Sequence, residues 1–208
     1  MIDKDPIRLG VLLSGGGRTL QNLAEEIARG GLRARITCVI GSSPEAYGLV
    51  RAEKLKLPHH IVARKQYADA AAFSEAIWKI LRESDVDLVV LAGLLHLLTL
   101  PAEYDRRVVN IHPALLPAFG GPGMYGHRVH DAVLAAGCKI SGCTVHFCDR
   151  TYDTGPIIVQ RTCLVLEDDT PDTLAARVFA EECVAYPEAI RLFAEGRLQI
   201  VGRTVRLR

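Results

Sequence analysis

Two polar side chains at the end of an apolar run carry the clearest chemical signal in this sequence. Asn110 and His112 lie two residues apart, just before the proline-rich loop 113–117. On a β-strand, residues two apart point to the same side, so the amide and the imidazole would emerge together. A later carboxylate, Asp153, completes the set. An amide can stabilise an oxyanion, an imidazole can move a proton, and a carboxylate can set the pKa of that imidazole.

The place of Asp153 in this set depends on how its loop folds. The residue lies in a turn-rich segment that ends in Thr154-Gly155-Pro156. By composition alone, its side chain would cap its own backbone. It joins the chemistry only if the loop folds back to His112. His146, on a segment of alternating polarity, fits a packed core histidine equally well. We interpret His127 and His130, at the start of a helix, as structural or rim residues.

A glycine-rich loop near the start predicts an anion site. Residues 14–19 read Ser-Gly-Gly-Gly-Arg-Thr, between an apolar run and a helical pattern. Backbone N–H groups of such a loop can face an anion at the helix N-terminus. A full dinucleotide fingerprint would need a third glycine where Leu20 stands, so a single phosphate is favoured. Arg18 would add a charge and Thr19 a hydroxyl; the alternative is a tight turn without ligand.

A second flexible-looking loop lies at 120–126, Gly-Gly-Pro-Gly-Met-Tyr-Gly. It could close over a substrate, and the alternative is an ordinary surface loop. The preceding segment 113–117, with a proline at each end, would fix the backbone direction after the strand that carries Asn110 and His112.

The elements that must position these residues follow an α/β pattern. Short apolar runs predict strands at 8–13, 36–40, 60–62, 87–92 and 107–111, of which the first two read as buried. Helical spacing predicts helices at 20–29, 47–55 and 69–83. Strands that alternate with helices predict βαβ units and a mainly parallel sheet.

The second half of the chain predicts a different arrangement. After a helix at 129–136, strands at 143–148 and 157–166 flank a turn-rich loop and form an antiparallel pair. A long helix at 170–195 and a terminal hairpin at 198–207 follow. The expected fold is a single Rossmann-like α/β domain over residues 1–208. Its mainly parallel twisted sheet is flanked by helices, with antiparallel additions in the C-terminal half.

Composition narrows the classes of partner. The 208 residues are 49% hydrophobic and 24% charged, with a net charge of +1, which gives no bulk electrostatic reason for nucleic-acid or membrane binding. No apolar run approaches the roughly 20 residues of a membrane span, and the polar start 1–6 lacks a signal-peptide core. We therefore expect a cytoplasmic protein. The six cysteines lack zinc-type spacing, which predicts no metal and reduced, mostly buried thiols.

Taken together, these motifs resemble the folate-dependent formyltransferases over nearly the whole chain. The most specific signature combines Asn-Ile-His-Pro at 110–113 with Asp-Thr-Gly-Pro at 153–156. The first loop and the chain length favour the glycinamide branch. The resemblance implies that the chain transfers the formyl group of 10-formyltetrahydrofolate to the amine of phosphoribosylglycinamide, in de novo purine (IMP) biosynthesis. It implies small-molecule substrates and no metal, and it leaves a homodimer open.

The resemblance also implies residue roles. Asn110, His112 and Asp153 would be the catalytic trio, with Asp153 raising the pKa of His112 toward neutrality or above. Residues that would bind phosphoribosylglycinamide are Gly17, Arg18 and Thr19 at the phosphate and Glu182 near the glycinamide group. Residues that would bind the folate are Leu95, His96, Leu97, Leu98 and Asn110. No covalent enzyme intermediate is needed.

The chain departs from the family pattern at several ligand-binding positions. Arg18 and Thr19 stand where the family commonly has Ser-Asn, and His96 stands where a basic residue is often seen. The segment 125–127 reads Tyr-Gly-His in place of His-Thr-His. An arginine that contacts ligand in some members has no counterpart here, and Ala70 is the residue nearest to the corresponding position. These positions bear on phosphate and folate contacts and leave the reaction class unchanged.

Three alternatives to this function stay open at this point. Another folate-dependent formyltransferase would share the trio, but we would expect a tRNA-directed member to carry a further domain and a basic face. A formyltetrahydrofolate hydrolase would share the trio and usually carries an N-terminal regulatory domain. A non-catalytic phosphometabolite-binding protein on the same fold belongs to another class, and the intact trio argues against it.

Overall fold

The computed structural model describes residues 6–208, which form two compact units. One unit ends at Val109 and the other begins at Asn110, within a strand. Residues 1–5, on which part of the expected absence of a signal peptide rests, lie outside the described residues.

The first unit alternates strands with helices, as predicted. Its elements are β1 (Ile7–Leu13), α1 (Arg18–Ala28), β2 (Ala34–Gly41), α2 (Tyr47–Lys54), β3 (His59–Ile61), α3 (Ala70–Glu83) and β4 (Leu88–Leu91). The strands lie in the order β3-β2-β1-β4 and are all parallel. Strands β1 and β4 are almost wholly buried, which explains why their sequences are apolar apart from Arg8: a parallel sheet is covered on both faces.

Helix α3 anchors the segment that follows β4. The helix begins after Asp69, whose side chain accepts a hydrogen bond from the N–H of Ala72 at 2.8 Å. Further along, the indole N–H of Trp78 donates to the carbonyl of Thr99 at 2.7 Å, and the Thr99 N–H donates to the Ser74 hydroxyl at 3.0 Å. These contacts fix the end of the predicted folate-binding segment on the buried face of α3.

The second unit carries the predicted antiparallel strands. Its elements are β5 (Val108–His112, entered from the first unit), α4 (His127–Ala135), β6 (Ile140–Phe147), β7 (Ile157–Leu164), α5 (Pro171–Ala194), β8 (Leu198–Val201) and β9 (Thr204–Leu207). The strand order is β5-β6-β7-β9-β8. Strands β6 and β7 are antiparallel, and so are β8 and β9 of the terminal hairpin. The hairpin joins β7 through a parallel bridge between Ile157 and Thr204.

Two of the element boundaries that differ from the predicted ones are decided by backbone conformation and cross-strand pairing. Helix α1 begins at Arg18 and not at residue 20, because Gly17 in the left-handed conformation serves as its N-cap. Strand β6 begins at Ile140 and not at residue 143, because Ile140 and Ser141 already pair with β7. Helix α5 has the predicted start: the hydroxyl of Thr170 caps it.

Within the described part of the chain, no helix is long and apolar enough to cross a membrane. All six cysteines have free thiols. The expectation that they are mostly buried is wrong, since Cys38 and Cys143 are buried and the other four are half-buried.

Candidate active site

The three side chains singled out for chemistry meet in the second unit. Asn110 and His112 both lie on β5, and the loop between β6 and β7 brings Asp153 back to them. Asp153 Oδ2 lies 3.5 Å from His112 Nδ1, and Asp153 Oδ1 lies 3.4 Å from Asn110 Nδ2. The His112 and Asp153 side chains are 4% and 9% exposed. The loop therefore folds back as the chemistry requires, and Asp153 does more than cap its own turn.

A fourth residue, His146 on β6, completes the cluster. Its Nε2 lies 3.2 Å from Asn110 Nδ2 and 3.6 Å from Asp153 Oδ1, and its Nδ1 lies 2.9 Å from the Phe147 carbonyl oxygen. Since that carbonyl can only accept, Nδ1 carries the proton in the neutral ring, and Nε2 accepts from the Asn110 amide. Sequence reasoning left His146 as an equal candidate for the core. The available signal was the segment 142–147, Gly-Cys-Thr-Val-His-Phe, which carries part of the family resemblance.

One short loop holds both His112 and Asp153. The Phe119 carbonyl oxygen lies 2.8 Å from His112 Nε2, and the Gly121 N–H donates to Asp153 Oδ2 at 2.9 Å. Phe119 itself adopts a left-handed backbone conformation, with φ of 55°. Because the carbonyl accepts from Nε2, the other ring nitrogen of His112 is the one that faces the carboxylate. The loop at 120–126, predicted either to cover a substrate or to be an ordinary surface loop, thus begins with backbone groups that contact Asp153, which its sequence did not predict.

The segment between β5 and this loop is held by a buried hydroxyl. The Thr144 hydroxyl donates to the Ala114 carbonyl at 2.7 Å and accepts from the Leu116 N–H at 3.0 Å. The Gln160 side chain donates to the Leu116 carbonyl at 3.0 Å. These contacts fix the backbone that leaves β5 directly after His112.

Burial controls the charge of His112, and the expectation that its pKa is raised is wrong. Burial lowers the pKa of His112, and the negative charge of Asp153, which raises it, is the smaller effect. The pKa of Asp153 is raised by burial, but contact with His146 and the hydrogen bond from Gly121 N–H outweigh this, so it lies below its usual value. The resting pair is therefore a neutral imidazole beside a carboxylate.

The glycine-rich loop lies in the first unit, between β1 and α1. Gly17 has φ of 69°, and a Cβ there would come within 2.5 Å of the Gly48 Cα, so only glycine fits. Arg51 donates to the Gly16 carbonyl at 2.9 Å, and the Gly48 N–H donates to the Gly15 carbonyl at 3.0 Å. Helix α2 thus fixes the shape of the loop, while Gly15, Gly16 and Arg18 stay exposed.

The predicted folate-binding segment touches this loop. The Ser14 hydroxyl accepts from the Leu95 N–H at 3.0 Å, and the Ser14 N–H donates to the Gly93 carbonyl at 3.0 Å. Leu95 and Leu97 expose 45% and 38% of their surface, while Leu98 is buried in the core. His96 packs edge-on against Phe73, with ring centroids 5.5 Å apart, and burial lowers its pKa. The exposed leucines are the apolar surface that a ring could cover.

Glu182 lies half-buried on α5, in the second unit. Burial, followed by the charge of Glu182, raises the pKa of the Cys143 thiol on β6 to about 12. Across residues 6–208, no group of three or more His, Cys, Asp or Glu side chains could hold a metal ion.

The chain belongs to the formyl transferase family, which matches residues 7–190. Within that family it is similar to proteins named phosphoribosylglycinamide formyltransferase, so the predicted resemblance is confirmed. A crystal structure of glycinamide ribonucleotide transformylase 1 from Symbiobacterium toebii is 43% identical, with a TM-score of 0.90 over 97% of this chain and 93% of that one. This match confirms the predicted fold class.

Two curated relatives carry the name phosphoribosylglycinamide formyltransferase. The Haemophilus influenzae phosphoribosylglycinamide formyltransferase is 34% identical over 195 residues, covering 93% of this chain and 90% of the relative. The chloroplastic phosphoribosylglycinamide formyltransferase of Vigna unguiculata is 38% identical over 195 residues and 92% of this chain. This chain spans 62% of the length of the Vigna protein.

Proposed function

We propose that this protein transfers the formyl group of 10-formyltetrahydrofolate to the amine of phosphoribosylglycinamide. The products are the N-formyl compound and tetrahydrofolate, in de novo purine biosynthesis. The observation that carries the proposal is the cluster of Asn110, His112 and Asp153, with 3.5 Å between His112 Nδ1 and Asp153 Oδ2. The names of the relatives support the same acceptor.

Asn110 would stabilise the negative charge that develops on the formyl oxygen when the acceptor amine attacks. Its amide group faces His146 at 3.2 Å and Asp153 at 3.4 Å. The longer contact, to Asp153, is the weaker one, so a ligand oxygen would replace it while His146 keeps the amide oriented. His146 is then a positioning residue for Asn110.

His112 would move the proton. The ring is neutral at rest, and its Nε2–H is directed at Phe119, so Nδ1 would receive the proton that the attacking amine loses. Asp153 would favour the imidazolium that results, and the same Nδ1 would deliver the proton to the departing folate nitrogen. No residue of the chain needs to form a covalent bond with the formyl group.

Binding would use surfaces away from the reacting atoms. Gly17, Arg18 and Thr19 would hold the phosphate at the start of α1, where backbone N–H groups favour an anion. Leu95, His96, Leu97 and Leu98 would line the pterin site, and Glu182 would face the glycinamide group. Phosphate binding of this kind contributes affinity that positions the amine.

We propose that residues 1–208 act as one domain, in the cytoplasm, on small molecules and without metal, nucleic acid or membrane. A homodimer stays open. Among the relatives, the Vigna protein is named as chloroplastic, so location is tested by fractionation.

A spectrophotometric assay with purified protein tests the function. We expect the 10-formyl group to be lost only when phosphoribosylglycinamide is added. Loss without acceptor would indicate a hydrolase, and ligand binding without loss of the formyl group would indicate a binding protein or another acceptor. Either result would overturn the proposal.

A further inference from the structure

The backbone at Asp153 needs external support. Asp153 has φ of 58°, a left-handed conformation that Asp adopts more readily than most residues with a side chain, though still at an energetic cost. Such a conformation persists where surrounding contacts fix it. Part of the support is local: Gly155 lies where a Cβ would overlap the Phe147 carbonyl, and the Phe147 N–H donates to the Pro156 carbonyl at 2.9 Å. These contacts close the base of the loop but do not touch its tip.

Asp149 braces the loop on both sides of Asp153. Its Oδ1 accepts from the Thr151 N–H at 3.0 Å and from the Thr154 hydroxyl at 2.8 Å, and its Oδ2 lies 2.8 Å from that hydroxyl. The Thr151 and Thr154 hydroxyl oxygens lie 2.7 Å apart. One carboxylate therefore ties together the residues before and after Asp153. A hydrogen bond to a charged group is stronger than a neutral one, so this brace resists displacement of the loop.

Arg203 braces the loop from the terminal hairpin. It lies in the turn between β8 and β9, and its guanidinium Nη2 donates to the Thr154 carbonyl at 2.8 Å. The next residue, Thr204, pairs with Ile157 of β7, four residues after Asp153. The hairpin thus holds the guanidinium in register against the peptide that follows Asp153. Nothing in the catalytic proposal uses Asp149 or Arg203, yet both contact the loop that presents the carboxylate.

We infer that Asp149 and Arg203 are positioning residues that hold Asp153 at its 3.5 Å distance from His112 and give the terminal hairpin a part in the reaction. The inference rests on the proposed function for its link to turnover. Its structural part, the placement of the carboxylate beside the imidazole, does not. A misplacement of a reacting group by about 1 Å can lower a rate about 100-fold, so loosening this loop should be visible in turnover.

The test compares Arg203→Ala and Asp149→Ala with wild type and with Arg206→Ala. Arg206 lies on the same hairpin and makes no side-chain hydrogen bond within residues 6–208, so its removal is a matched control for loss of an exposed arginine. Three readouts are needed: kcat and KM for the acceptor, the melting temperature, and the NMR titration of the His112 ring. The charged or titratable groups around that ring are Asp153, His146 and His130.

We expect Arg203→Ala and Asp149→Ala to lower kcat about 10- to 100-fold while KM changes little. The titration of His112 should move to lower pH, because a displaced Asp153 favours the imidazolium less, and Arg206→Ala should match wild type. Unchanged kcat with an unchanged titration would overturn the inference. A fall in kcat that follows the loss of folded protein, with an unmoved titration, would also overturn it by showing a purely structural role. If wild type transfers no formyl group, the proposed function fails and the titration alone decides the inference.

Discussion

Nδ1 of His112 lies 3.5 Å from Oδ2 of Asp153, while Nε2 of the same ring points at the Phe119 carbonyl oxygen 2.8 Å away. The carbonyl fixes the orientation of the ring, so Nδ1, the nitrogen beside the carboxylate, is the one available for proton transfer. Burial keeps the ring neutral at rest, and the carboxylate offsets the cost of charging it. A neutral base whose conjugate acid has a ready counter-ion suits a reaction in which one proton is taken up and then released.

Removal of the His112 ring should abolish most of the turnover. We expect His112→Ala to lower kcat by about 10²- to 10⁴-fold, the usual contribution of a positioned general acid–base group, with little change in KM for the acceptor. Steady-state assays of the variant measure both. His60→Ala, at an exposed histidine on β3 of the first unit, is the control and should behave as wild type. Near-normal turnover of His112→Ala would remove His112 from its assigned role.

The charge of Asp153 should set the acid limb of the pH profile. Its negative charge raises the pKa of His112, so Asp153→Asn should lower that pKa further and reduce kcat at every pH. The acid limb of kcat, which lies at or below about pH 6.5 in wild type, should therefore shift to lower pH in the variant. The acceptor amine titrates equally with both enzymes, so the difference between the two profiles isolates His112. A limb that moves to higher pH would contradict this arrangement.

The amide of Asn110 should contribute most in the transition state, when negative charge develops on the formyl oxygen. We expect Asn110→Ala to lower kcat about 100- to 1000-fold, as does removal of one oxyanion-hole donor elsewhere. Loss of the amide also removes the 3.2 Å contact with His146, so His146→Asn in a separate variant tests how much of the effect is orientation. A loss of kcat below about tenfold in Asn110→Ala would mean that another group stabilises the oxyanion.

The closeness of Asn110 and His112 could be predicted from their spacing, whereas Asp153 was placed with them only through the family resemblance. Asn110 and His112 share a strand face, and Asp153 lies in a motif that resembles a known family. The Phe119 carbonyl and the Gly121 N–H could not be predicted in the same way, since backbone groups carry no side-chain signature and their direction depends on a left-handed residue.

The pKa direction of His112 was predicted wrongly for a related reason. The charge of Asp153 can be read from sequence, whereas the depth of burial depends on packing that only the folded chain defines. The strands and helices were predicted well because short, mainly apolar runs and the cap at Thr170 are local signals. Their ends were missed at Gly17 and Ile140, where conformation and cross-strand pairing decide.

The glycine-rich loop should govern acceptor affinity and leave turnover alone. We expect Arg18→Gln to raise KM for the phosphorylated acceptor about tenfold with kcat nearly unchanged, since a phosphate contact lies away from the reacting amine. A dephosphorylated acceptor should be processed equally poorly by wild type and variant, which is the control. A fall in kcat with unchanged KM would contradict a role for Arg18 in phosphate binding.

Gly17→Ala should weaken both folding and affinity, because its Cβ would meet the Gly48 Cα at 2.5 Å.

Buried histidines should make the fold sensitive to mild acid. His130 on α4 is 4% exposed, and its Nδ1 has no hydrogen-bond partner among residues 6–208. Burial, followed by the charge of His127, lowers the pKa of His130 below its ordinary value near 6.5. Between the lowered and the ordinary value the unfolded chain binds more protons, so the stability is complete above about pH 6.5 and is lost as the pH falls through the folded pKa.

The melting temperature of wild type should therefore fall between pH 7.5 and pH 5.5, by about 2–4 °C for each kcal/mol lost in a chain of this size. His130→Leu removes one of the groups responsible and should flatten this dependence. Burial lowers the pKa of His112 and of His96 in the same way, so part of the slope should remain. Thermal scans across this pH range measure the slope, with His60→Gln as an exposed control that should leave it unchanged. An equally steep slope in His130→Leu would show that His130 binds its proton as readily in the folded chain as in the unfolded one, and that the acid sensitivity comes from the other two rings.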